Sequence, residues 1–259
     1  MRQSHNSNTI GLGLAIFGAL LLTPDTLLMR LSELDGFAML VWRGGLSGIA
    51  YILIWLWFTL RVERKMPAIL TTSFGIVVLC QIANATFFSL AIAVAPVTVV
   101  LISVATVPIF AAILSQIFLG ETLSKFAIAM AALVLIGLYI SVLGQDATSI
   151  ALDASTLLGA GLGLGVAFSL ALNFTIIRKD TTVPFVLAIG VGAILAAILG
   201  ALCADVLYLP PTANMLAIAF TGIVILPISF CTLSYAARFV TSSTVSLIMM
   251  LETVFGPLW

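Results

Sequence analysis

Charge is what this sequence has least of. Only 8% of its 259 residues are charged, where a soluble domain carries about 25%. A chain so poor in solvated groups cannot cover a globular surface, so its main solvent is lipid. Ten basic residues balance ten acidic ones, which gives no basic patch for nucleic acid. Histidine occurs once, at His5 in the N-terminal tail, so neither a Ser-His pair nor an HExxH zinc motif can form within the apolar stretches. Cys80, Cys203 and Cys231 have no paired spacing and read as small core residues, with no metal site or disulfide framework. No nucleotide-binding loop occurs and no cofactor is implied. Gly159, Gly161, Gly163 and Gly165 lack the following Lys and Ser/Thr of a phosphate loop; they read as small-xxx-small packing positions.

What is present is long apolar sequence: 62% of residues are hydrophobic and mean hydropathy is +1.28. A spanning helix needs about 20 mostly apolar residues. Nine segments qualify, at roughly 10–29, 36–58, 69–92, 97–119, 124–143, 156–177, 184–206, 213–236 and 242–259. The first follows Arg2 and could pass for a signal peptide. It has no small-x-small cleavage signal and runs through Pro24 into more apolar residues, so it reads as a membrane helix. Backbone polar groups cannot be left bare in hydrocarbon, which makes these segments helices; a β-barrel would show shorter, alternating ones. The expected fold is an all-α polytopic membrane protein.

Alternate loops differ in charge. One side collects Arg2, Arg61, Arg64, Lys65, Lys125, Arg178, Lys179 and Arg238; the other has Arg30 with Glu33, Asp35, Asp146, Asp153 and Asp205. The positive-inside rule then puts the N-terminus in the cytoplasm, with Trp55 and Trp57 at the inner interface and Tyr208 at the outer one. An internal repeat is also visible. Residues 24–30 lie over 172–178, Phe37 over Phe185, 91–94 over 236–239 and 109–110 over 254–255, in constant order and with an offset that drifts by about three residues. The expectation is two five-helix repeats, 1–148 and 149–259. Five is odd, so the second is inverted in the bilayer, and it stops before its last helix, which reads as a fragment.

Charged side chains inside hydrocarbon cost about 2.5–3.5 kcal/mol at a helix centre and need a reason. Asp25 lies about 8 Å below the outer end of the first segment and Arg43 about 10 Å below that end of the second. Matched depth allows an ion pair, read either as a static brace or as a gate or carboxylate site; Arg43 could instead snorkel to the interface. Glu252 lies about 15 Å deep with no basic residue obviously level with it. Hydrocarbon disfavours its charged form, which suits a proton carrier, a hydrogen-bond donor to cargo, or an interhelical bond. Gln81 and Asn84 share a helix face and could bind cargo or bond between helices, and Asn173 is the repeat mate of Asp25. Pro24, Pro108, Pro227 and Pro257 fall in segments one, four, eight and nine. Proline frees a carbonyl and kinks a helix, which marks either a cavity or ordinary bending.

With these repeats, with Leu119-Gly120-Glu121 closing the fourth segment and with Leu251-Glu252-Thr253-Val254-Phe255 in the ninth, the chain resembles the drug/metabolite transporter superfamily, EamA type. Members usually have proline where Thr253 stands. The resemblance implies ten helices, a central cavity lined by both repeats, and alternating access. It also implies export of a small metabolite such as an amino acid. The lack of an ATP-binding motif makes a secondary active transporter the expectation, Glu252 makes protons a candidate coupling ion, and the expected location is a bacterial inner membrane. An intramembrane enzyme or a structural subunit of a membrane complex is the alternative. The inverted repeat argues against a scaffold, which has no use for two interchangeable halves.

Overall fold

A computed structural model describes residues 2–63, 69, 71–121, 129, 132–133, 136, 154–204 and 210–255. Among the described residues all regular structure is helical. Seven spans are long and apolar enough to cross a membrane: Asn8–Leu31, Gly36–Arg61, Thr72–Val94, Val97–Leu119, Ala154–Lys179, Phe185–Cys203 and Thr212–Ala236. Most of the expected fifth segment (all but 129, 132–133 and 136), the loop residues Arg64, Lys65, Lys125, Asp146, Asp153, Asp205 and Tyr208, and Pro257 lie outside the described residues.

Several spans are interrupted. The first is α1 (Arg2–Leu22) and α2 (Asp25–Leu31), broken at Thr23-Pro24. The second and third are α3 (Gly36–Phe58), continued by a π-helical turn at Thr59–Glu63, and α4 (Thr72–Val94). The fourth is α5 (Val97–Val104) and α6 (Val107–Leu119), with the break at Ala105-Thr106. Next come α7 (Ala154–Lys179) and α8 (Phe185–Cys203). The seventh span joins α9 (Thr212–Phe220) through a π-helical segment, Thr221–Ile225, to α10 (Leu226–Ala236). The segment expected as one helix from 242 is instead α11 (Ser242–Met249) and α12 (Leu251–Phe255), parted at Met250.

The prolines account for three of these interruptions, and more sharply than simple kinks. Pro24 cannot donate to Leu20, and the Thr23 hydroxyl takes that carbonyl instead at 2.9 Å. Pro108 and Pro227 sit in the first turn of α6 and α10, where a missing N–H is tolerated and the upstream helix must end or loosen. Among the described residues, three helix N-termini are capped by side chains. Asp35 accepts from Phe37 and Ala38 at the start of α3, and Thr71 and Thr241 cap α4 and α11.

Small residues let the spans approach closely. Gly44 and Gly48 on α3 form a small-xxx-small pair against Ala193, Ile194 and Ala197 of α8; a methyl on Gly48 would come within 2.7 Å of the Ile194 side chain. On α7, Gly159 meets Ala95, Gly163 meets Ser103 and Gly165 meets the Phe87 ring, whereas Gly161 faces open space and packs nothing. Leu53, Leu79, Ile117 and Leu202 are exposed on the outside of the bundle, an arrangement suited to lipid. One contiguous apolar core runs through α1, α3, α4, α7, α8 and α10.

Candidate functional site

Five of the six polar candidates line one buried cavity. Asp25, Arg43, Gln81, Asn84 and Glu252 face it, together with Tyr51, Phe88, Leu226 and Phe230. Each element contributes by a local cause. The Pro24 break starts α2 at Asp25 and places its carboxylate inside the bundle. The Gly44 and Gly48 contacts press α3 onto α8 and hold Arg43 and Tyr51 on the inner face. Gln81 rests against Gly192, where no side chain fills the space. The Met250 interruption ends α11, and Glu252 follows in the first turn of α12.

Arg43 Nη2 donates to Asp25 Oδ2 at 2.5 Å. The pair is buried on both sides, with side-chain exposures of 8% and 1%, and the Arg43 guanidinium also stands over the Phe88 ring at 5.5 Å. The guanidinium therefore does not snorkel to the interface. Asp25 Oδ1, Arg43 Nε and Gln81 Oε1 have no hydrogen-bond partner among the described residues. Buried polar atoms left in this way cost about 1–3 kcal/mol each. The cavity is narrow, about 30 Å³, room for two or so water molecules.

Glu252 corrects one expectation. Read along the chain it has no cation at its level, yet it is in electrostatic range of both Arg43 and Asp25 and lines their cavity. Sequence depth is counted from each helix's own end, and the broken spans make that count unreliable. Asn173 is buried on α7 but does not line the cavity. Its Oδ1 has no partner among the described residues.

Tyr51 was not singled out from the sequence. Its hydroxyl donates to the Leu226 carbonyl at 2.8 Å, next to the π-helical segment of the seventh span. The signal available was one tyrosine hydroxyl in an otherwise apolar run, which has to find a partner when buried. Glu121 was also missed as a partner. Gly120 adopts φ +68 and closes α6 in the left-handed conformation that glycine favours. Glu121 just beyond it meets Arg178 at 2.7–2.8 Å.

Among the described residues no group of His, Cys, Asp and Glu is arranged to hold a metal ion. No curated protein matches the sequence. A solved structure, titled only as the crystal structure of a protein, aligns with a TM-score of 0.77 at 19% identity. The alignment covers 98% of this chain and 86% of that one, a likeness of fold alone. The sequence pattern of the EamA-like transporter family matches residues 9–143. A membrane-spanning helical fold and a family match over more than half of the sequence lead to one identification: the chain belongs to the EamA-like transporter family.

Proposed function

We propose that this membrane transporter is a secondary active exporter of a small metabolite such as an amino acid, working by alternating access. The observation that carries the reading is the cavity itself. A matched anion and cation, two amides and a further carboxyl converge from several spans on one narrow space inside the bundle. A cargo with its own carboxylate and ammonium would satisfy Arg43 Nε and Asp25 Oδ1, which otherwise stay unpartnered. Glu252 adds a carboxyl that could exchange a proton for cargo. The direction of transport follows the family resemblance.

Alternating access needs two halves that can swap roles, here 1–148 and 149–259 as inverted repeats that together supply nine spanning segments. Three contacts support this. Arg30 donates to the Ala95 carbonyl at 2.9 Å, and Arg178 to the Val240 carbonyl at 2.6 Å. Donors and acceptors both correspond in the repeat register. Ala105 and Met250, where the fourth span and the α11–α12 pair break, also correspond, and they pack against each other. Such pairing is expected where two inverted units meet at a pseudo-twofold axis. The loop charges favour a cytoplasmic N-terminus, and the membrane proposed is a bacterial inner membrane.

The test is uptake into inside-out vesicles against a panel of metabolites, with and without a pH gradient. Accumulation of one metabolite class that depends on the protein and on the gradient is the expected result. Equal uptake by vesicles lacking the protein, across the panel, would reject it.

A further inference from the structure

A second, larger cavity lies beyond the charged one. It measures about 570 Å³ and is lined by Leu14, Ile54, Trp55, Phe185, Cys231 and Tyr235 among others, with Arg238 at its edge. Arg238 donates to the Val183 carbonyl at 2.8 Å and stands over the Phe185 ring at 4.8 Å. This is the end of the bundle that carries Arg178 and Lys179.

Three helices line both cavities, and each does so in the same order of depth. On α1 the step is from Leu22 at the charged cavity to Leu14 at the larger one. On α3 it is from Tyr51 to Ile54 and Trp55, three and four residues on and so on one face of the helix. Along α10, Leu226 and Phe230 give way to Cys231, Thr232 and Tyr235. The two spaces therefore stand end to end, with a separation that along α3 is about one helical turn (roughly 5 Å). At the near end of that step on α3 is Tyr51, which lines the charged cavity, is 1% exposed and is bonded across to Leu226.

We propose that the larger cavity is the entry vestibule on the basic face and that Tyr51, latched to the Leu226 carbonyl, is the gate between it and the charged site. A single neutral hydrogen bond contributes modestly to stability, so the latch can open without unfolding the helices. The acceptor sits beside the π-helical segment at Thr221–Ile225, where the backbone ladder already departs from regular α geometry. The aromatic walls, Trp55, Phe185 and Tyr235, with the Arg238 guanidinium, suit a small amphipathic cargo that carries an anionic group.

The gate takes its purpose from the transport reading, but its test needs no cargo. Native Cys231 lines the vestibule, and Val166 lines the charged cavity. Two single-thiol proteins are compared in sealed vesicles of known orientation: one retaining only Cys231, the other lacking native cysteines and carrying Val166→Cys. A membrane-impermeant thiosulfonate is added to the face bearing Lys179. Cys231 should label readily there, with or without Tyr51→Phe. The thiol from Val166→Cys should label slowly with Tyr51 present and at least tenfold faster with Tyr51→Phe. Phe230→Leu, which thins the same septum from α10, should act in the same direction if Tyr51→Phe does not fold. Cys231 closed to that face, or an unchanged rate at the Val166→Cys thiol, would overturn the gate. Gated labelling without transport of any metabolite would keep the gate and reject the exporter reading instead.

Discussion

Arg30 and Arg178 stand 148 positions apart and hold the same kind of atom. Each follows the apolar part of a span and donates to a carbonyl at an elbow between two others: Ala95 before α5, Val240 before α11. Ala95 precedes the fourth span and Glu121, the second partner of Arg178, follows it, so the two ties lie at opposite ends of one span. Arg30→Gln and Arg178→Gln should each lower thermal stability in detergent by about 1–3 kcal/mol, the worth of a charge-assisted hydrogen bond. With no shared partner they should add within about 0.5 kcal/mol. Strong coupling in the double variant would mean that the two ties are not independent.

Asp25 and Arg43 should behave in the opposite way. Neutralising one leaves the other charge buried, so Asp25→Asn or Arg43→Gln should each cost about 3–5 kcal/mol. The double variant should recover part of that loss. Expression level and denaturation midpoint measure both. A double variant whose loss equals the sum of the singles would show that the 2.5 Å contact carries no coupling.

Topology can be read from two exposed positions. Thr182 follows the basic end of α7 and Glu33 follows α2. In a cysteine-free background, Thr182→Cys should be shielded from an impermeant thiol reagent on intact cells, and Glu33→Cys should react. The reverse pattern would turn the protein over in the membrane.

Asp180, in the turn between α7 and α8, gives a pH signature. Hydrogen bonds from the Thr182 and Ser73 hydroxyls hold its carboxyl below the ordinary carboxylate value. A pKa lowered in the folded state contributes stability above the unfolded value, about 3.9. That contribution is lost as pH falls through the folded value. Because the group is close to solvent, its worth is under about 1 kcal/mol. The melting-temperature gap between the native chain and Asp180→Asn should be steady above about pH 5 and close below pH 4. A gap independent of pH would remove the carboxylate from the account.

Which of these groups the sequence could reveal follows from the kind of signal each one leaves. Asp25 and Arg43 are conspicuous because charge in an apolar run is costly, and counting from the helix ends puts them at one depth. Pro24, Pro108 and Pro227 mark interruptions for an equally local reason, the missing N–H. Glu252 is misjudged because α11 and α12 part at Met250, and that break is invisible without the packing of Ala105 on Met250. The hydrogen bond of Tyr51 and the ion pair of Glu121 escape notice because their partners lie 175 and 57 residues away. Apolar helices carry little information about which neighbour they face.

Glu252 carries the prediction with the most consequence. It shares a cavity with a fixed ion pair, is 5% exposed, and lies in the first turn after a break, where the backbone can move. If proton movement drives transport, this carboxyl is suited to take the proton up and release it, because Asp25 is already committed to Arg43. Gln copies the shape and hydrogen bonding of the protonated acid but cannot lose the proton. Glu252→Gln should therefore abolish accumulation driven by a pH gradient, by tenfold or more, and leave exchange of labelled for unlabelled cargo near its native rate. Glu252→Asp keeps the acid one methylene further back and should retain partial, pH-dependent accumulation. Both are measured in the same vesicles under an imposed gradient and then at equal pH. A Gln variant that accumulates cargo normally under the gradient would exclude Glu252 as the proton carrier. Loss of exchange together with accumulation would make it part of the cargo-binding surface instead.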